Sequence, residues 1–453
     1  MSKKKSLKLA ALIVSSEVFI SQLIRLSSNL ILTRLLSPEM FGVMTVAMIF
    51  IVGITMLSDL GIREKYTQSN MSDNQSFINT CWSIQVIRGI FIALIIALIG
   101  VSLIILQGSG FIYEDSVYND DNLPFVVIIL SFTAVLQGLK SIREYDLYRK
   151  INVYDLAKIN LYSQIFGTIA MIISALYFQS LWVLVVAPIL SSFLKTVLTY
   201  KVGCSSVRHT FEIDKKSLKD IYGFSKWIFI GSLLSYLLMS SDRIILGGLL
   251  TPEILGIYSI AFLFSNAANE LFTKLISKIV YPKLTETVKE DQNKLFNVMY
   301  GYRVKVDFFT YIISGFLFAA GSSIIYLLYD ERYHDAGWMF EILSISIIFI
   351  GINISHFAIM ALGKSYSYAV VNFISVIIVV IGMPLIYKTY GLEATVLFIA
   401  LRKAITIPVI FYIQNKCGLF SFFKEIMMVP LFILGYYVGI YFNKLIFLYG
   451  WVS

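Results

Sequence analysis

The chain has 453 residues, of which 58% are hydrophobic and 14% charged. That balance excludes an ordinary soluble domain and leaves little chain outside apolar helices of about 20 residues each. The formal net charge of +9 fits the Lys and Arg of cytoplasmic loops in a membrane protein, so nucleic acid is not an expected partner.

In chain order, apolar runs of spanning length fall at 8–34, 39–60, 78–106, 124–146, 156–178 and 181–202, then at 224–249, 253–280, 301–328, 338–362, 366–387, 391–414 and 425–448. Barrel strands would be half as long and would alternate polar with apolar, so the fold class is an all-α polytopic membrane protein of about 13 transmembrane helices. The leading MSKKK and the stretch behind it imitate a secretory signal. The stretch continues past Arg25 to Leu36 without a small-residue cleavage site, which reads as a retained first helix.

Orientation follows from the loops. With the amino terminus in the cytoplasm, the inner segments carry Lys3, Lys4, Lys5, Arg63, Lys65, Arg149, Lys150, Lys201, Arg208, Lys215, Lys216, Lys219, Lys283, Lys289, Lys294, Lys364 and Lys416. The outer loops offer Arg34, Arg332 and Lys388, and one of them holds only the acids Glu114, Asp115, Asp120 and Asp121. This asymmetry places the protein in a cytoplasmic membrane with its amino terminus inside. Cys204 and Cys417 then face the reducing cytoplasm, with Cys81 near it. The three cysteines lack metal-ligand spacing and His209, His334 and His356 are scattered, so neither a metal nor another cofactor is expected.

An internal echo organises the chain. Residues 31–50, ILTRLLSPEMFGVMTVAMIF, return at 245–264 as ILGGLLTPEILGIYSIAFLF, with Pro38/Pro252, Glu39/Glu253 and Gly42/Gly256 among the identical pairs. Ser37 and Thr251 are good helix N-caps, the prolines suit the first helical position, and the glutamates oppose the positive end of the helix dipole. These residues read as structural or gating elements of two tight external hairpins. Both copies enter the membrane in the same sense, so two six-helix lobes are expected about a pseudo-two-fold axis along the membrane normal. The expected division is 1–203 for the first lobe, 204–222 for a cytoplasmic linker, 223–415 for the second lobe and 416–453 for an additional C-terminal helix.

Ionisable groups inside apolar helices need a reason. Eight cations lie deep: Arg25, Arg88, Lys140, Lys195, Arg243, Lys274, Arg402 and Lys403; only Glu17, Asp242 and Glu270 are comparably deep acids. Glu270 and Lys274 are four apart and Asp242 adjoins Arg243, so some of the charge is expected to pair internally. Three carboxylates cannot neutralise eight cations. The surplus points to a water-filled cationic cavity between the halves for phosphate-bearing cargo, since the guanidinium fork matches phosphate oxygens. Lys226, Lys278, Arg303, Lys305 and Asp307 sit nearer helix ends and read as snorkelling side chains. No complete phosphate-binding loop occurs: Gly363-Lys364-Ser365 has the tail of one, but Ala358 stands where its first glycine belongs. Energy is expected from an H+ or Na+ gradient, the membrane potential or product consumption, with Glu17, Asp242, Glu270 and His356 as ion-coupling candidates.

RLLSPEMFGVMTVA and LSDLGI in the first half, then SSDRIILGGLLTPEILGIYSIA and YPKLTE in the second, resemble the polysaccharide flippases. This is the O-antigen, or Wzx-type, group of the multidrug/oligosaccharidyl-lipid/polysaccharide (MOP) exporter superfamily. The resemblance runs through about residue 415. It implies a non-enzymatic transporter that moves an undecaprenyl-diphosphate-linked oligosaccharide from the cytoplasmic to the periplasmic leaflet by alternating access. It also implies membrane lipids as surroundings and a polysaccharide polymerase and chain-length regulator as partners. Asp59, Asp242 and Arg243 match the motifs by position and take a structural or gating role. Family members commonly have fourteen helices, one more than the apolar runs here provide.

Other readings are a peptidoglycan-precursor flippase, which would share a cationic lumen, and a multidrug cation antiporter, which calls for an acidic or aromatic pocket instead. A membrane-embedded polymerase or ligase needs a large external loop with catalytic groups. The longest external segment, near 107–123, contains no basic residue or histidine.

Overall fold

In hydrocarbon each backbone N–H and C=O has to find its partner within the protein, and an α-helix provides one locally. The apolar runs accordingly form helices in the computed structural model, which describes residues 3–57, 61–69, 74–150, 152–202 and 209–448; no strand occurs among them. The elements are α1 (Lys3–Leu35), α2 (Pro38–Leu57), α3 (Ile62–Gln68), α4 (Gln75–Gln107), α5 (Leu123–Gly138), α6 (Arg143–Arg149), α7 (Val153–Phe178), α8 (Trp182–Lys201) and α9 (Lys215–Gly247). They continue as α10 (Pro252–Leu275), α11 (Tyr281–Glu290), α12 (Leu295–Leu328), α13 (Ala336–Ser344), α14 (Ile352–Ala361), α15 (Ser365–Lys416), α16 (Phe422–Ile426) and α17 (Val429–Leu448).

Among the described residues, nine helical segments are long and apolar enough to cross a membrane, or ten if the bent pair α5–α6 is one span. Several runs expected as single helices are interrupted. The run at 124–146 bends by 61° between α5 and α6. Its freed carbonyls are taken up by side chains: Gln85 donates to the carbonyls of Gly138 at 2.9 Å and Lys140 at 2.8 Å, Thr196 to Leu136 at 2.7 Å and Tyr200 to Leu139 at 2.8 Å. The run at 338–362 contains a 3-10 stretch at Ile345–Ile350 between α13 and α14. The runs at 366–387 and 391–414 make up α15, which is two helices meeting at a kink where Gly391 is non-helical at φ 80°. A side chain would be strained there, and glycine is not.

The chain forms two compact units, Met1–Gly256 and Ile257–Ser453. In unit 1, α4 packs on α5, α7 on α8 and α1 on α7; α9, the first helix of the sequence's second half, packs along α2. In unit 2, α17 lies along α12, where Asn443 donates to the carbonyl of Ala319 at 2.7 Å. The other face of α17 exposes Ile433, Leu434, Tyr437, Val438 and Tyr441, as expected of a helix bordered by lipid.

The two copies of the repeated corner meet inside unit 1. A methyl group on Gly42 would lie 2.0 Å from the carbonyl oxygen of Pro252, and one on Gly256 would lie 1.8 Å from that of Pro38. Each glycine makes room for the other copy's backbone, which is why the same residue recurs at both places. Thr251 caps as expected, accepting from the N–H of Ile254 at 3.3 Å, and Glu39 and Glu253 stand in the first turns of α2 and α10.

Candidate functional site

In unit 1 the elbow between α5 and α6 turns α6 so that Glu144 faces back towards α5 and across to α8. The Glu144 carboxylate binds Lys140 and Lys195, each at 3.4 Å. Glu144 is buried, whereas the two lysines keep 20% and 29% of their side-chain surface, so one acid holds two cations and leaves a net positive charge facing solvent. Arg88 on α4 lies within electrostatic reach of Lys140, and Tyr148 feels Glu144, Lys195, Arg63 and Glu17 together. Arg63 stands over the Tyr148 ring, 5.5 Å from its centre. Four of the deep residues singled out by sequence, Arg88, Lys140, Lys195 and Glu17, therefore share one neighbourhood.

The interface of α1 with α7 is polar along its length. Asn160 donates to Glu17 at 2.8 Å; Ser21 and Gln164 exchange bonds of 2.7 and 3.0 Å. These pairs repeat at a spacing of four residues on both helices, so they lie on facing stripes. Arg25 donates to Gln22 at 2.6 Å. On α9, Asp242 is wholly buried and stands 3.7 Å from the Arg243 guanidinium, which donates to the carbonyl of Met239 at 2.6 Å. Asp59 lies outside the described residues, as does Cys204.

In unit 2, Lys274 is exposed and pairs with Glu270 at 3.4 Å. His356 on α14 lies within electrostatic reach of Lys403 on α15, whose neighbour in charge is Arg402. The dominant cluster is a different one. Arg303 on α12 bridges Asp307, at 3.3 Å, and Glu425 on α16, and its guanidinium also donates to Ser355 at 2.7 Å. Tyr300 donates to Glu425 at 2.7 Å. Arg303, Asp307 and Glu425 are all buried. Arg303 and Asp307 therefore do not snorkel: a guanidinium beside two carboxylates has its donors satisfied inside the protein, and reaching for the interface would abandon both acids.

Reasoning from sequence missed Glu144, Glu425, Tyr300 and Ser355. Asp307 carried a signal, since it stands four residues after Arg303 on one face of α12; Glu144 also follows a cation by four residues, but the elbow takes Lys140 off its helix. Glu425 had none, because it is 122 positions from Arg303. Pairing also covers more of the eight cations than expected: Lys140, Lys195, Arg243 and Lys274 each have an acid within 4 Å. No group of three or more potential metal ligands occurs among the described residues.

The fold resembles those of solved membrane transporters, one of which is described as a member of the MOP superfamily. The solved structure of lipid II flippase MurJ in an inward closed conformation superposes with a TM-score of 0.72 at 13% identity, covering 96% of this chain and 100% of that one. An inward-facing multidrug resistance MATE family transporter superposes with a TM-score of 0.59 at 11% identity, covering 88% and 94%. Residues 31–338 match the family described as polysaccharide biosynthesis protein, and the chain belongs to that family. Similar relatives include the teichuronic acid biosynthesis protein TuaB of Bacillus subtilis, 21% identical over 36% of this chain and 34% of that one, and the lipopolysaccharide biosynthesis protein WzxC of Escherichia coli, 19% identical over 58% and 51%. An uncharacterized membrane protein of the cps region of Klebsiella pneumoniae is 20% identical over 71% and 62%. The chain thus spans between a third and about three-fifths of these relatives' lengths.

Proposed function

We propose that this membrane transporter of polysaccharide biosynthesis is a flippase for an undecaprenyl-diphosphate-linked oligosaccharide, carrying it from the cytoplasmic to the outer leaflet by alternating access. The observation that carries this reading is the cationic group of unit 1, in which Lys140 and Lys195 share Glu144 with Arg88 close by. A diphosphate cannot enter hydrocarbon unaided, because an isolated charge costs many kcal/mol to desolvate. Half-buried ammonium and guanidinium groups replace part of its hydration while the polyprenyl tail stays among lipids. The names of TuaB and WzxC, tied to teichuronic acid and lipopolysaccharide biosynthesis, support a glycan cargo. No covalent bond changes in this task.

On this reading thirteen helices cross an inner membrane from a cytoplasmic amino terminus, and a polymerase takes the product on the outer side. Glu17, hydrogen-bonded to Asn160 and close to the cationic group, is the first ion-coupling candidate; Asp242, Glu270 and His356 follow it. The test is deletion of the gene with analysis of the lipid-linked glycans that remain. Accumulation of one oligosaccharide diphosphate lipid on the inner leaflet is expected, and an unchanged lipid pool overturns the proposal. Arg25→Ala, Arg88→Ala and Arg402→Ala should abolish surface polysaccharide at near-normal protein abundance. Loss of the protein itself would make those residues packing elements. Collapsing the proton gradient in vesicles should slow translocation if Glu17 couples protons.

A further inference from the structure

The segment 209–214, which leads into α9, runs extended across the N-terminal end of α4 and the elbow before α6. His209 stacks on Trp82, with ring centres 5.4 Å apart at 12°, stands edge-on to Tyr200, and shares a 2.8 Å hydrogen bond with Ser141. Glu212 accepts from Asn79 at 2.8 Å and Ser76 at 3.1 Å, and its N–H donates to Ser83 at 3.0 Å. Thr210 donates its N–H to Asn79 at 3.3 Å, and Asp214 donates its own to Thr80 at 3.0 Å while capping α9 through Ser217 at 2.8 Å. Asn79, Thr80, Ser83 and Ser141 are all buried. Lifting the strap would take one partner from each of these four side chains; Asn79, Thr80 and Ser141 would keep a local bond to Gln75, Ser76 and Arg143.

We propose that residues 209–214 are a permanent clamp that fastens the inner end of α9 to α4 throughout the transport cycle, so that α9 moves about a fulcrum at Asp214. A mere tether needs only length. This segment instead spends the side chains of His209, Thr210 and Glu212 and the N–H groups of Thr210, Glu212 and Asp214 on α4 and the elbow, and Asp214 joins clamp to helix in one residue. Towards its far end α9 meets α2 and the 107–123 segment, where Tyr236 donates to the carbonyl of Ile49 at 3.3 Å, Tyr118 donates to the carbonyl of Ile244 at 2.8 Å and Gly247 and Gly248 admit the Tyr118 ring. A helix whose first residues are tied to a neighbouring helix through a chain of hydrogen bonds has a fixed point at that end. The inference rests on the transport reading above, since a fulcrum has meaning only in a protein that changes conformation.

The test is a disulfide between Cys residues introduced by S83C and E212C, with the three native cysteines replaced by Ser, in a strain depending on this protein for surface polysaccharide. Export within about twofold of the reduced form is expected. Export that falls more than tenfold and returns with reductant would mean the strap must open, which overturns the clamp. Loosening it by H209A together with E212A should lower export about tenfold at unchanged abundance and speed amide exchange at 209–216; normal export in that variant also overturns it. If the reduced, unsubstituted protein supports no polysaccharide export, the transport reading itself fails, a result separate from either arm.

Discussion

The two units treat buried charge in opposite ways. In unit 1 one carboxylate, Glu144, holds two lysines; in unit 2 one guanidinium, Arg303, holds two carboxylates. The first cluster is positive and half open, the second is sealed and acid-rich. Counting cations along the sequence merges the two and overstates the surplus. The difference teaches that a charge in an apolar helix stays available to solvent only where its partners leave part of it uncovered. A fully satisfied cluster such as Arg303–Asp307–Glu425 fastens elements together, here α12, α14 and α16.

Replacing Arg303 by Ala should have the largest effect, because it strands Asp307 and Glu425 in a buried site. Removing one partner of a buried pair costs about 3–5 kcal/mol, so a large loss of folded protein in detergent is expected, read by thermal unfolding. An unchanged midpoint would show the cluster to be dispensable. Glu144→Gln should cost less, about 1–3 kcal/mol, the range for leaving a buried polar group short of a partner, because the two lysines it strands are partly exposed. Its lysines can relax towards water, and the retained or raised affinity for an anionic diphosphate lipid in a vesicle-binding assay would separate unit 1 from unit 2. If both variants unfold alike, the contrast between an open and a sealed cluster fails.

Gly42→Ala probes a third kind of contact, backbone against backbone. A methyl group in that gap has to push Pro252 away, and overpacking of this sort costs about 1–3 kcal/mol. Gly256→Ala should do the same, and the double variant should show less than the sum, because either methyl already parts the two corners; strict additivity in unfolding would mean they do not act as one contact.

The smallest effect is expected from acid at the strap. Burial chiefly, and then Arg143, pushes the His209 imidazole below its ordinary value of 6.5. The docked strap therefore prefers the neutral ring. Docking is fully stable above the ordinary histidine range and weakens as pH falls through the lowered value, when protonation is opposed by the same burial and by Arg143. Ser141, Trp82 and Tyr200 complete its surroundings, and Glu212 and Asp214 are the acids on the strap itself. Protection of the amides at 209–216, taken relative to their intrinsic exchange rates, should fall between pH 7.5 and 5.5, and His209→Gln should remove that dependence. A pH response that survives the substitution would assign it to another group.

Much of this was legible one-dimensionally. Helices follow from apolar length, and the repeat announced its own corners through Pro-Glu and Gly at matched spacing. Arg303 and Asp307, four apart within α12, were readable as a pair from helical period, although the pairing was not recognised. The elbow at 139–142 was not legible, since Leu123 to Arg149 is apolar enough to read as one helix. Gln85, Thr196, Thr199 and Tyr200, contributed by α4 and α8, help make the break tolerable.

Sequence by itself determined that this is a polytopic helical protein with a duplicated corner, because hydropathy and local spacing depend on neighbours along the chain. Tertiary structure decided which charges are neutralised, with Glu425 reaching Arg303 across 122 positions and Glu144 drawing Lys195 to Lys140. It also decided that Gly42 and Gly256 face each other. Electrostatic pairing and close packing act through space over a few ångströms, and distance along a folded chain does not report distance in space.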